Sequence, residues 1–173
     1  MDIFGKFKKV CYYINIFFIY SFLGFLFEST LSLIKGTNFN SGILYGPWTF
    51  IYGIAIFIIL VINRFLKQFK LPKWLEILIF YIMASILMTL IEFSAGMLIS
   101  KLFHVVYWDY SEMAFNFGHY ICLEVTLFWG LFATLVNYLL TPHILKLIKK
   151  IPWVISIILV LLFIVDIIFT VLK

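Results

Sequence analysis

Five long runs of apolar residues alternate with short polar breaks along this chain: roughly Tyr12 to Ile34, Trp48 to Ile62, Leu75 to Ile99, Tyr120 to Leu140 and Trp153 to Leu172. A helix needs about 20 apolar residues to cross the hydrocarbon core of a bilayer, and most of these runs have that length. The pattern therefore predicts an all-α integral membrane protein with five transmembrane helices. Pro47 is expected in the first turn of the second span, where a missing N–H costs nothing. Pro72 and Pro152 mark turns, and Trp74 and Trp153 come after them as interfacial anchors.

The polar breaks are of two kinds. Lys6, Lys8 and Lys9 precede the first run, Arg64, Lys67, Lys70 and Lys73 come after the second, and Lys146, Lys149 and Lys150 after the fourth. Of the 13 basic residues, the remaining three are Lys35, Lys101 and Lys173, on the opposite side. Positive residues accumulate on the cytoplasmic side, so the N-terminus is expected in the cytoplasm and the C-terminus outside. The first run is preceded by lysines and has no small-residue cleavage site, which reads as an uncleaved span.

The two outer breaks repeat a motif. Glu28 precedes Phe39-Asn40-Ser41-Gly42, and Glu92 precedes Phe115-Asn116-Phe117-Gly118. Each unit is a span carrying a glutamate toward its outer end, an outer loop and a returning span, so two parallel helix-hairpin repeats are expected. They cover about 10–66 and 74–140, with an accessory helix at about 153–172, all within a single membrane domain of residues 1–173.

Composition narrows the function. The chain is 65% hydrophobic and 12% charged, with no stretch left for a soluble domain. A net charge of +5 distributed in clusters between spans is a topology signal and gives no reason to expect a nucleic-acid partner. No G-x-x-x-x-G-K-[ST] loop is present, so any ATP hydrolysis is expected from a separate ATPase subunit. Cys11 and Cys122 lack metal or disulfide spacing, and His104 and His119 form no zinc motif. No nucleophile motif surrounds the serines, so no catalytic residue, metal or cofactor is assigned.

Acidic residues inside spans are costly and commonly face a pathway or partner. At 1.5 Å rise per residue, Glu28, Glu92, Glu124 and Asp166 are expected roughly 6 to 10 Å below the outer boundary. With the loop residues they define a candidate substrate-binding set: Glu28, Asn40, Tyr45, Tyr52, Glu92, Trp108, Asp109, Asn116, His119 and Glu124. His104, Tyr107, Tyr110 and Glu112 lie nearby in sequence. Such a lining favours a cation or a solute bearing amine or hydroxyl groups. Structural roles compete: Glu28 and Glu92 as protonated helix–helix hydrogen-bond groups, the asparagines as turn formers, Glu124 as an interfacial acid, and Asp166 as a contact to a partner or second copy.

Several ordered motifs resemble a known family. They are Tyr20-Ser21-Phe22-Leu23-Gly24-Phe25-Leu26-Phe27-Glu28, Gly42-Ile43-Leu44-Tyr45-Gly46-Pro47 with Ile51-Tyr52-Gly53, Glu92-Phe93, and Trp108-Asp109-Tyr110-Ser111 with Phe115-Asn116-Phe117-Gly118. Across spans one to four they resemble the CmpB-like ABC-transporter type IV family, which implies a permease. Two positions depart from the family pattern: Ser41 stands where Asn-Arg-Gly has Arg, and His119 stands where the family has an Arg after the second motif. Both remove a fixed positive charge from the outer loops.

These features together predict a multi-pass cell-membrane protein, permease-like, binding or moving a small polar or cationic solute at an outward-facing acidic site. Its expected partners are the lipid bilayer, the small-molecule solute, a separate ATPase and further copies of itself as a homo-oligomer. The alternatives are an intramembrane enzyme acting on a lipid or envelope precursor, with Glu28, Glu92, Asp109 and His119 as acid–base groups or ligands, and a non-catalytic scaffold or regulator.

Overall fold

The computed structural model describes residues 3–36, 44–106 and 108–172, apart from the side chain of Phe103. Among them, five helical stretches are long and apolar enough to cross a membrane: Ile3–Lys35, Phe50–Phe69, Lys73–Leu102, Leu123–Ile148 and Trp153–Val171. All five expected spans are therefore present, with boundaries that differ in informative ways.

Helix α1 runs Ile3–Lys35. It begins before the apolar run because lysine is a good helix former whose stem packs while its ammonium stays solvated. It ends at Gly36, whose left-handed φ of +64° suits a residue without a Cβ. Helix α2 runs Phe50–Leu66 and tightens into a 3-10 turn at Lys67–Phe69. Pro47 was expected in its first turn but lies in a bend ahead of it. The reason is local bonding: Trp48 N–H donates to Gly46 O at 2.8 Å and Thr49 N–H to Ser21 O at 3.0 Å, so helical bonding starts later.

Helix α3 runs Lys73–Phe103 and is closed by His104, whose φ is +53° and whose N–H donates to Ser100 O. The fourth span was expected from Tyr120, but residues 116–122 form a small hairpin, β1 (Asn116–Phe117) antiparallel to β2 (Ile121–Cys122). Helix α4 therefore starts at Leu123 and runs to Leu135. A π-helical turn, Val136–Leu140, continues into α5 (Thr141–Ile148), which places Lys146 inside a helix and not in the turn after it. In that wide turn Thr141 N–H bonds Val136 O, and the Thr141 hydroxyl bonds the same carbonyl at 2.8 Å. Helix α6 runs Trp153–Val171.

The chain divides into two compact units, Met1–Ile58 with His143–Lys173, and Ile59–Pro142. In the first, α1 packs on α6. Buried Ser156 donates to Asn15 Oδ1 at 3.0 Å, and Phe17 and Phe18 meet Phe163 edge-on. The start of α2 lies against α1 where Gly24 and Gly53 leave room: a Cβ at Gly24 would overlap the Tyr52 ring, and one at Gly53 would overlap Ser21 and Phe17. In the second unit α3 packs on α4. Gly130 admits Ser85, Thr89 and Thr126 share a hydroxyl bond of 2.9 Å, and fully buried Phe80 meets Tyr138 edge-on. Small residues and hydroxyl bonds at helix crossings replace the hydrophobic drive that lipid cannot supply.

Candidate functional site

In the first unit, Glu28 is half-buried on α1 and accepts the Tyr52 hydroxyl of α2 at 2.5 Å. Gly24, one turn before Glu28, is what lets the Tyr52 ring approach α1, and Phe27 flanks that ring edge-on at 6.2 Å. A few residues ahead of Tyr52, the stretch leading into α2 is held by α6. Asp166, 8% exposed, accepts the Tyr45 N–H at 3.0 Å, the Gly46 N–H at 2.9 Å and the Trp48 indole N–H at 2.6 Å. The Trp48 ring is wedged edge-on against Phe18 and Phe163. Tyr45 thus enters this arrangement through its backbone, while the residue itself is 62% exposed.

In the second unit, Glu92 is half-buried on α3 and accepts the Tyr110 hydroxyl at 2.9 Å. The Trp129 indole of α4 stands beside the same carboxyl. The connection that supplies Tyr110 is bonded mainly to itself. Trp108 Nε1 donates to Tyr120 O at 2.9 Å, Tyr110 N–H to His119 O at 2.9 Å, and the Asn116 amide to Ser111 O and Met113 O at 3.1 and 2.8 Å. Phe115, Gly118 and His119 all take left-handed φ, which is how so short a segment reverses direction. His119 is half-buried against the Tyr120 ring, with centroids 4.2 Å apart. Asp109 is exposed and accepts the Ser111 N–H at 2.8 Å, which holds its carboxyl below the usual aspartate value, with nearby His119 adding a smaller push.

Of the sequence-predicted residues, Glu28 and Tyr52 are paired, and Tyr45 lies in the stretch bound by Asp166. Glu92 is paired with Tyr110, while Trp108, Asp109, Asn116 and His119 belong to the connection that carries Tyr110. Glu124 is exposed in the first turn of α4. Asn40 and the first Phe-Asn-x-Gly copy lie outside the described residues, as does Tyr107. Among the described residues, no three His, Cys, Asp or Glu side chains are grouped so as to hold a metal ion.

Tyr110 and Asp166 carry more than their sequence context indicates, and Asn15, Ser156 and Asn137 were missed. All three of the latter are buried polar residues inside apolar helices. That interruption of a hydrophobic run was the available signal.

Among the described residues, five helices long and apolar enough to cross a membrane, with polar bonds between them, define a helical membrane protein. The family described as "Putative ABC-transporter type IV" matches residues 15–171, and the chain belongs to that family. No curated protein and no solved structure matches it.

Proposed function

We propose that the chain is a permease-like subunit that binds or moves a small polar or cationic solute at an acidic site open to the outside of the cell membrane. The observation that carries this reading is the recurrence of one device: a glutamate inside a span, held by a tyrosine hydroxyl from further along the chain. Glu28 is held by Tyr52 and Glu92 by Tyr110. A tyrosine donor fixes one carboxylate oxygen and leaves the group able to accept a second donor, such as an ammonium or hydroxyl of a solute.

The basic clusters at 6–9, 64–73 and 146–150 put the N-terminus in the cytoplasm and the C-terminus outside on this reading. The two glutamate hairpins, at about 10–66 and 74–140, are then parallel repeats, with Trp108, Asp109, His119 and Glu124 at the mouth of the second. Tyr45 in the first unit and Asn116 in the second are further candidates for contact with the solute. Membership of an ABC-transporter family makes a separate ATPase the natural source of energy, and the small size of one chain favours assembly of several copies.

Uptake assays on Glu28→Gln and Glu92→Gln test the proposal. Each substitution should reduce transport or binding at least tenfold while leaving expression, insertion and the melting temperature close to those of the parent. Full uptake by both variants would remove the acids from the pathway. A change in melting or assembly with no change in binding would make them helix fasteners.

A further inference from the structure

At the lysine-rich end of the first unit, α1 and the turn between α5 and α6 enclose a cavity of about 280 Å³. Lys8, Tyr12 and Asn15 line it from α1, and Lys149, Pro152 and Trp153 line it from the other side. We propose that this cavity binds a phosphate group, carried by the headgroup of an anionic membrane lipid.

Three independent features of the cavity select an anion. First, its charged lining is two lysines, and among the described residues neither is in an ion pair. The described acids of the same unit, Glu28 and Asp166, are engaged with Tyr52 and with the 45–48 stretch. The Lys8 ammonium lies 4.6 Å above the Phe4 ring, a contact that orients the charge without neutralising it. Second, Pro152 and Trp153, where α6 begins without a side-chain cap, line the cavity, so the positive end of that helix's dipole lies on this side. Third, Asn15 is only 2% exposed and its carbonyl oxygen is taken by Ser156. Its amide nitrogen has no protein partner among the described residues, which leaves a donor for a ligand oxygen.

Size and surroundings select a headgroup. The volume falls just below the roughly 300 Å³ at which pockets for drug-sized ligands begin, which suits a small phosphoester and not a whole lipid. Tyr12 and Trp153 supply the amphipathic rings that favour the membrane–water interface, and the helices beside them offer apolar surface for acyl chains. Basic pockets between membrane helices are suited to anionic headgroups on this ground.

The test uses the full chain, delipidated in a neutral detergent, with thermal unfolding monitored during titration of phosphatidylglycerol, phosphatidylcholine or inorganic phosphate. Phosphatidylglycerol should raise the melting temperature and phosphatidylcholine should not. The pair Lys8→Gln with Lys149→Gln should weaken the apparent affinity at least tenfold. Lys8→Arg with Lys149→Arg should retain it, and Lys67→Gln with Lys70→Gln, an equal loss of charge in the other unit, should leave it unchanged. If inorganic phosphate reproduces the shift and loses it in the Lys8/Lys149 pair, the site takes phosphate from a soluble source. Absence of a shift with either phosphate source, an equal shift from phosphatidylcholine, or an equal loss in the Lys67/Lys70 pair would overturn the assignment.

Discussion

The two connections that carry the chain into α2 and into α4 are stabilised by opposite means. Residues 108–122 fold on themselves, with a hairpin of two-residue strands, three left-handed residues and an asparagine amide shared between two carbonyls. Residues 44–49 borrow a buried carboxylate from α6, more than a hundred residues further along the chain. A self-bonded loop survives local damage as a weakened loop. A clamped loop depends on one remote group, and its failure takes the neighbouring packing with it. The last helix is thus a working part of the first unit, because Asp166 sets the approach to α2 and so the position of Tyr52 beside Glu28.

Asp166→Ala is the sharpest way to break this contrast. A buried donor left without its acceptor costs about 1–3 kcal/mol, and three donors lose theirs at once, so we expect a destabilisation of about 3 kcal/mol or more after relaxation. Thermal unfolding in detergent measures it, and a red shift in Trp48 emission should accompany it. Gly24→Val attacks the same unit from the other side. The added methyls meet the Tyr52 ring, at an overpacking cost of about 2 kcal/mol, and solute binding should fall with the loss of the Glu28–Tyr52 bond.

Asn116→Ala is the matching lesion in the self-bonded connection. Its two bonds are exposed, so the expected loss is about 1 kcal/mol, confined to the loop in hydrogen exchange. A larger loss than that of Asp166→Ala would reverse the comparison.

The smallest effect is a pH response. Asp109 has a lowered pKa when folded and so binds fewer protons than in the unfolded chain. Its contribution is present above the unfolded value and fades as pH falls through the folded one. Trp108 emission should report this local loosening, and Asp109→Asn should make the response flat.

The spans were legible because a bilayer imposes one length and one composition on any helix that crosses it. Their ends were not. Pro47 has the chemistry of a first-turn residue, yet Trp48 and Thr49 are drawn into bonds with Gly46 and Ser21, and no local pattern announces that. Tyr120 continues an apolar run, yet the Phe-Asn-Phe-Gly turn before it pairs with Ile121 and Cys122. The glutamates stood out by their cost, whereas their pairing with particular tyrosines needed three dimensions: Tyr52 comes from the returning helix and Tyr110 from the loop. Asp166 was visible as an acid in an apolar helix, and its backbone partners, being main-chain groups, leave no mark in the sequence at all.

The wide turn at Val136–Leu140 has a bearing on how this span tolerates change in length. Each residue of an α-helix turns the next by about 100°, so a deletion in a regular stretch would swing the Gly130 and Ala133 face, buried against its surroundings, away from its contacts. A π turn already holds one residue more than its neighbours' phase requires. Deleting Asn137, which is 2% exposed with neither side-chain polar atom bonded among the described residues, should let the ladder close as ordinary α-helix. The faces on both sides would keep their registration, so at this point in the fourth span evolution or design can subtract a residue without rewriting the rest.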